Sequence, residues 1–166
     1  METKDPTSIE LTSLAKQPNS RNCFGCGVQN PHGLALAFYE YGAQQVVADY
    51  TVPEKFEGYP GVAHGGIIAS MLDEAVGRAV MVGKHYHFMV TAKLIVRYRK
   101  PVPVGQRLRL VGRLTRRRGR MATAISELYL QDGTLAAEAE ATMIEVSHAP
   151  DAVGEMDTLG WKVYPD

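Results

Sequence analysis

Residues 61–83 read GVAHGGIIASMLDEAVGRAVMVG, and the fold turns on this stretch. From Ile67 onward the apolar residues Ile67, Ile68, Met71, Leu72, Ala75, Val76 and Ala79 recur at helical spacing. No proline interrupts them and Gly83 is a natural stop, so the pattern predicts a helix over 66–82. Two acids lie side by side within it. Glu74 has Arg78 one turn ahead, the favourable order for an exposed i,i+4 ion pair. Asp73 has no cation within the helix and shares a strip with Ala69, Gly77 and Val80, which are small or apolar. A carboxylate in that setting either faces a partner surface or does chemistry; the plain alternative is a solvated aspartate.

Outward from the helix the period changes to two. Upstream, Leu34, Leu36 and Phe38 alternate with smaller residues, Gly42 breaks the run, and residues 45–52 form a second strand, which together predict a hairpin. Downstream, residues 88–100 are rich in β-formers. Their alternation puts Ala92, Leu94, Val96 and Tyr98 on one face and Thr91, Lys93, Ile95 and Arg97 on the other. Strands over 106–114, 121–130 and 134–146 follow, with Asp132-Gly133 as a two-residue hairpin signal. An antiparallel sheet with one apolar face needs a cover, and the helix over 66–82 is the only element long enough to supply it. The expected fold is α+β: a hotdog arrangement, a curled antiparallel sheet of about six strands around one long central helix. A polar extension over 1–21, a domain over 22–146 and a tail over 147–166 complete the expected organisation, with Trp161 poised to dock.

The 166 residues suit one domain with a sizeable core. Lysine plus arginine equal aspartate plus glutamate, so no global field favours nucleic acid or an anionic membrane. With no secretory leader pattern and no spanning apolar run, a cytoplasmic protein is the expectation. The two cysteines, Cys23 and Cys26, form a C-x-x-C. That spacing suits half a zinc site, with His32 a conceivable third ligand, or a redox pair. Neither has its sequence context, so the reading is a tight turn with no metal.

Three segments together carry a family resemblance: NCFGCGVQNPHGLALAF, GVAHGGIIASMLDEAVGRA and VTAKLIVRYRKPVPVG. With their H-G-G-x6-D spacing, residues 22–146 resemble the PaaI-type branch of hotdog-fold thioesterases. The resemblance implies hydrolysis of acyl-coenzyme A thioesters by a homodimer or a dimer of dimers, with coenzyme A as part of the substrate and no separate cofactor. It also implies that Thr91 helps the acid hold water. One departure is Gly58, where some relatives carry Asn six residues before the histidine. Glu57 is nearby and carries no assigned role.

The chemistry can be placed on the residues directly. Thioester hydrolysis builds charge on the carbonyl oxygen, and a helix start offers unpaired N–H groups and a positive dipole end. His64-Gly65-Gly66 sits there, so the Gly65 N–H is the expected oxyanion donor, aided by Gly66, with His64 as an anchor. Asp73 is the candidate general base or nucleophile. At 1.5 Å rise per residue, Gly65 and Asp73 are about 12 Å apart along the axis. Reacting groups must approach to about 3.5 Å, so each site must combine one chain's helix start with the other chain's Asp73. For the coenzyme A phosphates, the candidates are Arg97, Arg99 and Lys100, or Arg116 and Arg118 beside Arg117 and Arg120 in the next hairpin. Phe56, Tyr59, Phe88 and Met89 are candidate acyl-pocket linings. The alternative function is a non-catalytic acyl-CoA-binding or regulatory protein of the same fold.

Overall fold

The computed structural model describes residues 8–146 and 153–165. Parts of the expected N-terminal extension and C-terminal tail therefore lie outside the described residues. The chain forms β1 (Ala15–Lys16), β2 (Tyr39–Tyr41), β3 (Gln45–Thr51), α1 (Gly65–Val80), β4 (Met89–Tyr98), β5 (Arg107–Arg118), β6 (Met121–Tyr129), β7 (Leu135–Glu145) and α2 (Val153–Thr158). The strands make one sheet in the order β1-β2-β3-β5-β6-β7-β4, antiparallel throughout. Helix α1 lies across it, so the hotdog expectation holds. No helix among the described residues is long and apolar enough to cross a membrane.

The core forms where α1 meets the sheet. Leu36, Phe38, Met71, Leu72, Leu108 and Leu110 are fully buried there, each contributing about 1.5–3 kcal/mol. At the tightest point backbone meets backbone: a Cβ on Gly112 of β5 would lie 2.2 Å from the Ala75 carbonyl oxygen. One strand over, the buried Ser126 hydroxyl donates to the Leu72 carbonyl at 2.9 Å. Both contacts fix α1 near its middle, beside Asp73.

Several expectations need correction. The sheet has seven strands because Ala15–Lys16 adds a short one beside β2. Leu34, Leu36 and Phe38 are buried but make no ladder of their own; the Leu34 and Leu36 N–H groups donate instead to the carbonyls of Phe24 and Gly25 in the cysteine turn. Strand β5 runs on to Arg118, so Arg116–Arg118 are strand residues and not hairpin residues. Asp132-Gly133 sits in a slightly longer turn, closed by Leu130 N–H donating to the Thr134 carbonyl.

The largest correction falls on β4. Its pairing with β7 slips between Thr91 and Lys93, so Ala92 forms a bulge and is exposed. The extra residue rotates Thr91 onto the same side as Leu94, Val96 and Tyr98, facing α1. The simple alternation had placed it on the opposite face.

Candidate active site

His64 ends the loop before α1 in extended conformation, and its Nδ1 accepts a hydrogen bond from the Gly66 N–H at 3.0 Å. With Nδ1 accepting, the neutral imidazole carries its proton on Nε2. The bond also takes the Gly66 N–H, which was expected to share an oxyanion. Among the described residues the Gly65 N–H makes no hydrogen bond, and it sits at the positive end of a sixteen-residue helix. Tyr98, at the end of β4, donates its hydroxyl to the Gly65 carbonyl at 2.8 Å. The alternation had already put Tyr98 on the inner face beside Leu94 and Val96; only the packed structure gives its hydroxyl a task. Upstream, the Glu57 carboxylate accepts from the Gly61 N–H at 3.0 Å, where Gly61 adopts a φ of 77°. Glu57 thus holds the loop that leads to His64.

Two turns along α1, Asp73 is half-buried and its Oδ1 accepts a hydrogen bond from the Thr91 hydroxyl at 2.7 Å. Thr91 also lies 3.4 Å from the Met143 sulfur. These residues border a cleft of about 470 Å³ whose apolar lining includes Met81, Phe88, Met89 and Met143. Trp161 closes one side: its ring stacks edge-on against Phe88 at 5.2 Å, and its Nε1–H donates to the His85 carbonyl at 2.8 Å. Of the expected acyl linings, Phe88 and Met89 reach this cleft, whereas Tyr59 is 83% exposed and Phe56 packs on the main core.

The same cleft reaches the C-x-x-C. Cys23 is half-buried, Cys26 is buried, and both border the cleft with Glu74 and Arg78. The Glu74–Arg78 pair at 2.9 Å is not the exposed pair expected from spacing: Arg78 is 2% exposed and packs against the Trp161 ring at 5.2 Å. Hydrogen bonding from Cys26 lowers the pKa of the Cys23 thiol to about 6, and the same bond together with burial pushes Cys26 up. His32, the conceivable third metal ligand, stands elsewhere, with its own N–H donating to the Asn30 side chain at 3.0 Å.

The two basic groups lie at opposite ends of α1. Arg97 and Arg99 share Glu138, at 3.4 and 2.7 Å, and with Lys100 they flank Tyr98 near the helix start. Arg116 and Arg118 line a separate depression with Met121, Ala122 and Thr123. Between them Arg117 turns inward to the Val80 carbonyl at the helix end.

A sequence profile of the thioesterase superfamily matches residues 60–137, the span from the loop before α1 to the first residues of β7. An acyl-coenzyme A thioesterase, THEM4, from Xenopus laevis is 27% identical over 115 residues, which cover 68% of this chain and 50% of that protein. The chain thus spans about half the length of that relative. A crystal structure of a thioesterase superfamily protein is 27% identical, with a TM-score of 0.69 over 75% of this chain and 63% of that one. A phenylacetic acid degradation-related protein from Ralstonia eutropha is 28% identical, with a TM-score of 0.61 over 67% of this chain and 85% of that one.

Proposed function

We propose, from the premise that residues 60–137 belong to the thioesterase superfamily, that this chain hydrolyses acyl-coenzyme A thioesters to free acid and coenzyme A. The observation that carries the reading is the Thr91–Asp73 hydrogen bond of 2.7 Å at the border of an apolar cleft, on the helix whose start leaves the Gly65 N–H open. The carbonyl oxygen accepts from the Gly65 N–H of one protomer, where the helix dipole favours the developing negative charge. Asp73 of a second copy acts on the other side as general base toward water, or as nucleophile. Thr91 fixes one carboxylate oxygen, which leaves the other for the reaction. The acyl group enters among Met81, Phe88, Met89 and Met143, and the basic residues outside the cleft meet the coenzyme A phosphates.

The second copy follows from distance, since one protomer's Gly65 and Asp73 are about 12 Å apart along α1. The exposed edge of β4 supports it. This ten-residue strand ends the sheet, and Val90 and Ile95 on it are 55% and 51% exposed. A long apolar edge of this kind is a template for pairing with another chain.

The test is thiol release from a panel of acyl-CoAs of differing chain length and aromaticity. Asp73→Asn is expected to lower kcat by about 10³-fold while coenzyme A binding and the oligomeric state stay unchanged. Undiminished turnover in that variant refutes the mechanism. A wild-type chain that binds acyl-CoA and releases no thiol would make it a binding protein instead.

A further inference from the structure

We infer that Cys23, Cys26 and Glu74 form a binding site for a thiophilic divalent cation of the zinc class, clamping the C-x-x-C turn to helix α1. One ligand atom from each of the three lies within 4.8 Å of the other two, slightly wider than bonds of about 2.3 Å to sulfur and about 2.1 Å to oxygen reach, so a small inward turn of the side chains closes all three on a single ion. The turn is built around the carboxylate. A Cβ on Gly25 would lie 2.3 Å from Glu74 Oε2, and one on Gly27 would lie 2.3 Å from the Cys23 carbonyl oxygen. Glycine at both positions lets the two sulfurs and the carboxylate converge, with the Gly27 N–H closing the turn onto that carbonyl at 2.8 Å.

The division of labour on Glu74 points the same way. Its Oε1 accepts from Arg78 Nε at 2.9 Å, while Oε2 faces Cys23 at 4.0 Å, where a thiol is a poor donor. A carboxylate oriented by a buried guanidinium on one oxygen, with only a weak thiol contact on the other, is held as ligating acids commonly are. Charge closes as well: two thiolates and a carboxylate balance a divalent cation together with the Arg78 guanidinium. Arg78 Nη2 is buried without an acceptor among the described residues, and Arg78 and Cys26 line the same cleft. A metal-bound thiolate at Cys26 offers that N–H an anionic neighbour, which a disulfide sulfur does not. The three ligands leave a fourth position, and all three border the cleft that also holds Asp73.

The experiment is metal analysis of the full chain, purified with reductant and without chelator, followed by cobalt(II) reconstitution. About one zinc per chain is expected, with a thiolate-to-cobalt charge-transfer band in the near ultraviolet for the cobalt form. Cys23→Ser and Cys26→Ser should each abolish both signals, and Glu74→Gln should weaken zinc affinity by about tenfold or more. Zinc should also raise Tm, since the unfolded chain holds no such site. Cys23→Ser, half-exposed and outside the Glu74–Arg78 pair, serves as the folded control, checked by circular dichroism. Trace metal only in the reduced wild type overturns the assignment, as does a cobalt band that survives in a folded Cys23→Ser variant. Recovery of a Cys23–Cys26 disulfide that takes up no cobalt after reduction overturns it equally. None of these readouts depends on thioesterase activity.

Discussion

The start and the middle of α1 are built differently. At the start, His64 and Gly66 are exposed, and the Gly65 N–H has no acceptor among the described residues. In the middle, Asp73 has Thr91 on one oxygen and a cleft walled by Phe88, Met89 and Trp161 beside it. The first region supplies a donor without a pocket. The second supplies a carboxylate and a pocket without a free backbone donor, because the N–H groups of a helix interior are already paired. Each lacks what the other has, and the rigid helix keeps them apart. The proposed second copy across the exposed β4 edge would bring the two together.

The sharpest way to break this comparison is to disable the two regions in separate chains. Gly65→Pro removes the open N–H cleanly. Proline is tolerated at the first helical position, His64 already has the extended φ and ψ of −63° and 138° that a following proline requires, and the nearest side chain lies 3.6 Å from the new Cβ. Asp73→Asn disables the other region. Each homodimer should be inactive, and a tagged heterodimer of the two should recover about half the wild-type turnover, since symmetry leaves one intact site. A folded heterodimer with no recovery would mean that the two regions do not serve one centre.

Smaller changes grade the two regions separately. Thr91→Val deletes the hydrogen bond to Asp73 and keeps the strand shape. A bond to a charged acceptor contributes about 2 kcal/mol, so kcat should fall about 30-fold, with Thr91→Ser restoring most of it. Equal rates for Thr91→Val and wild type would make Thr91 a strand residue only. Tyr98→Phe loosens the other region by freeing the Gly65 carbonyl. The expected loss is about 1 kcal/mol, roughly fivefold in kcat, with Tm nearly unchanged. A drop in Tm with kcat intact would give Tyr98 a merely structural role.

Much of this was legible in the sequence, for reasons that differ by residue. Periodicity marks α1 and the strands, and helix rise alone separates Gly65 from Asp73. Alternation cannot anticipate a bulge, so the face of Thr91 was read wrongly: one unpaired residue at Ala92 reverses everything before it. The spacing of Glu74 and Arg78 gave their pairing but not their burial, because the turn and the Trp161 segment that cover them come from far away in sequence. The same distance hid Glu74 from the C-x-x-C. Convergence of residues 23, 26 and 74 is a tertiary fact with no local signature beyond the two glycines of the turn.

The smallest expected effect concerns what holds the cleft wall upright. Glu40 accepts from the Gly83 N–H at 3.1 Å and from Gln17 Nε2 at 3.1 Å, and its Oε1 lies 2.6 Å from His85 Nε2. The His85 carbonyl in turn carries Trp161. Burial opposes the Glu40 charge, but these bonds outweigh it and lower the pKa below the usual carboxylate value. A depressed folded pKa contributes stability above the unfolded value, which is lost as pH falls through the folded one. Glu40→Gln should therefore lower stability by about 1 kcal/mol or less at pH 7, and the gap from wild type should narrow below about pH 4. Urea unfolding at the two pH values measures it. Because Glu40 holds the segment just past the end of α1 that carries Trp161, and nothing at the helix start, the variant should also raise KM for bulky acyl groups before it touches kcat. A gap that widens on acidification, or a loss confined to kcat, would detach Glu40 from the cleft wall and leave Trp161 held by Phe88 and Arg78 alone.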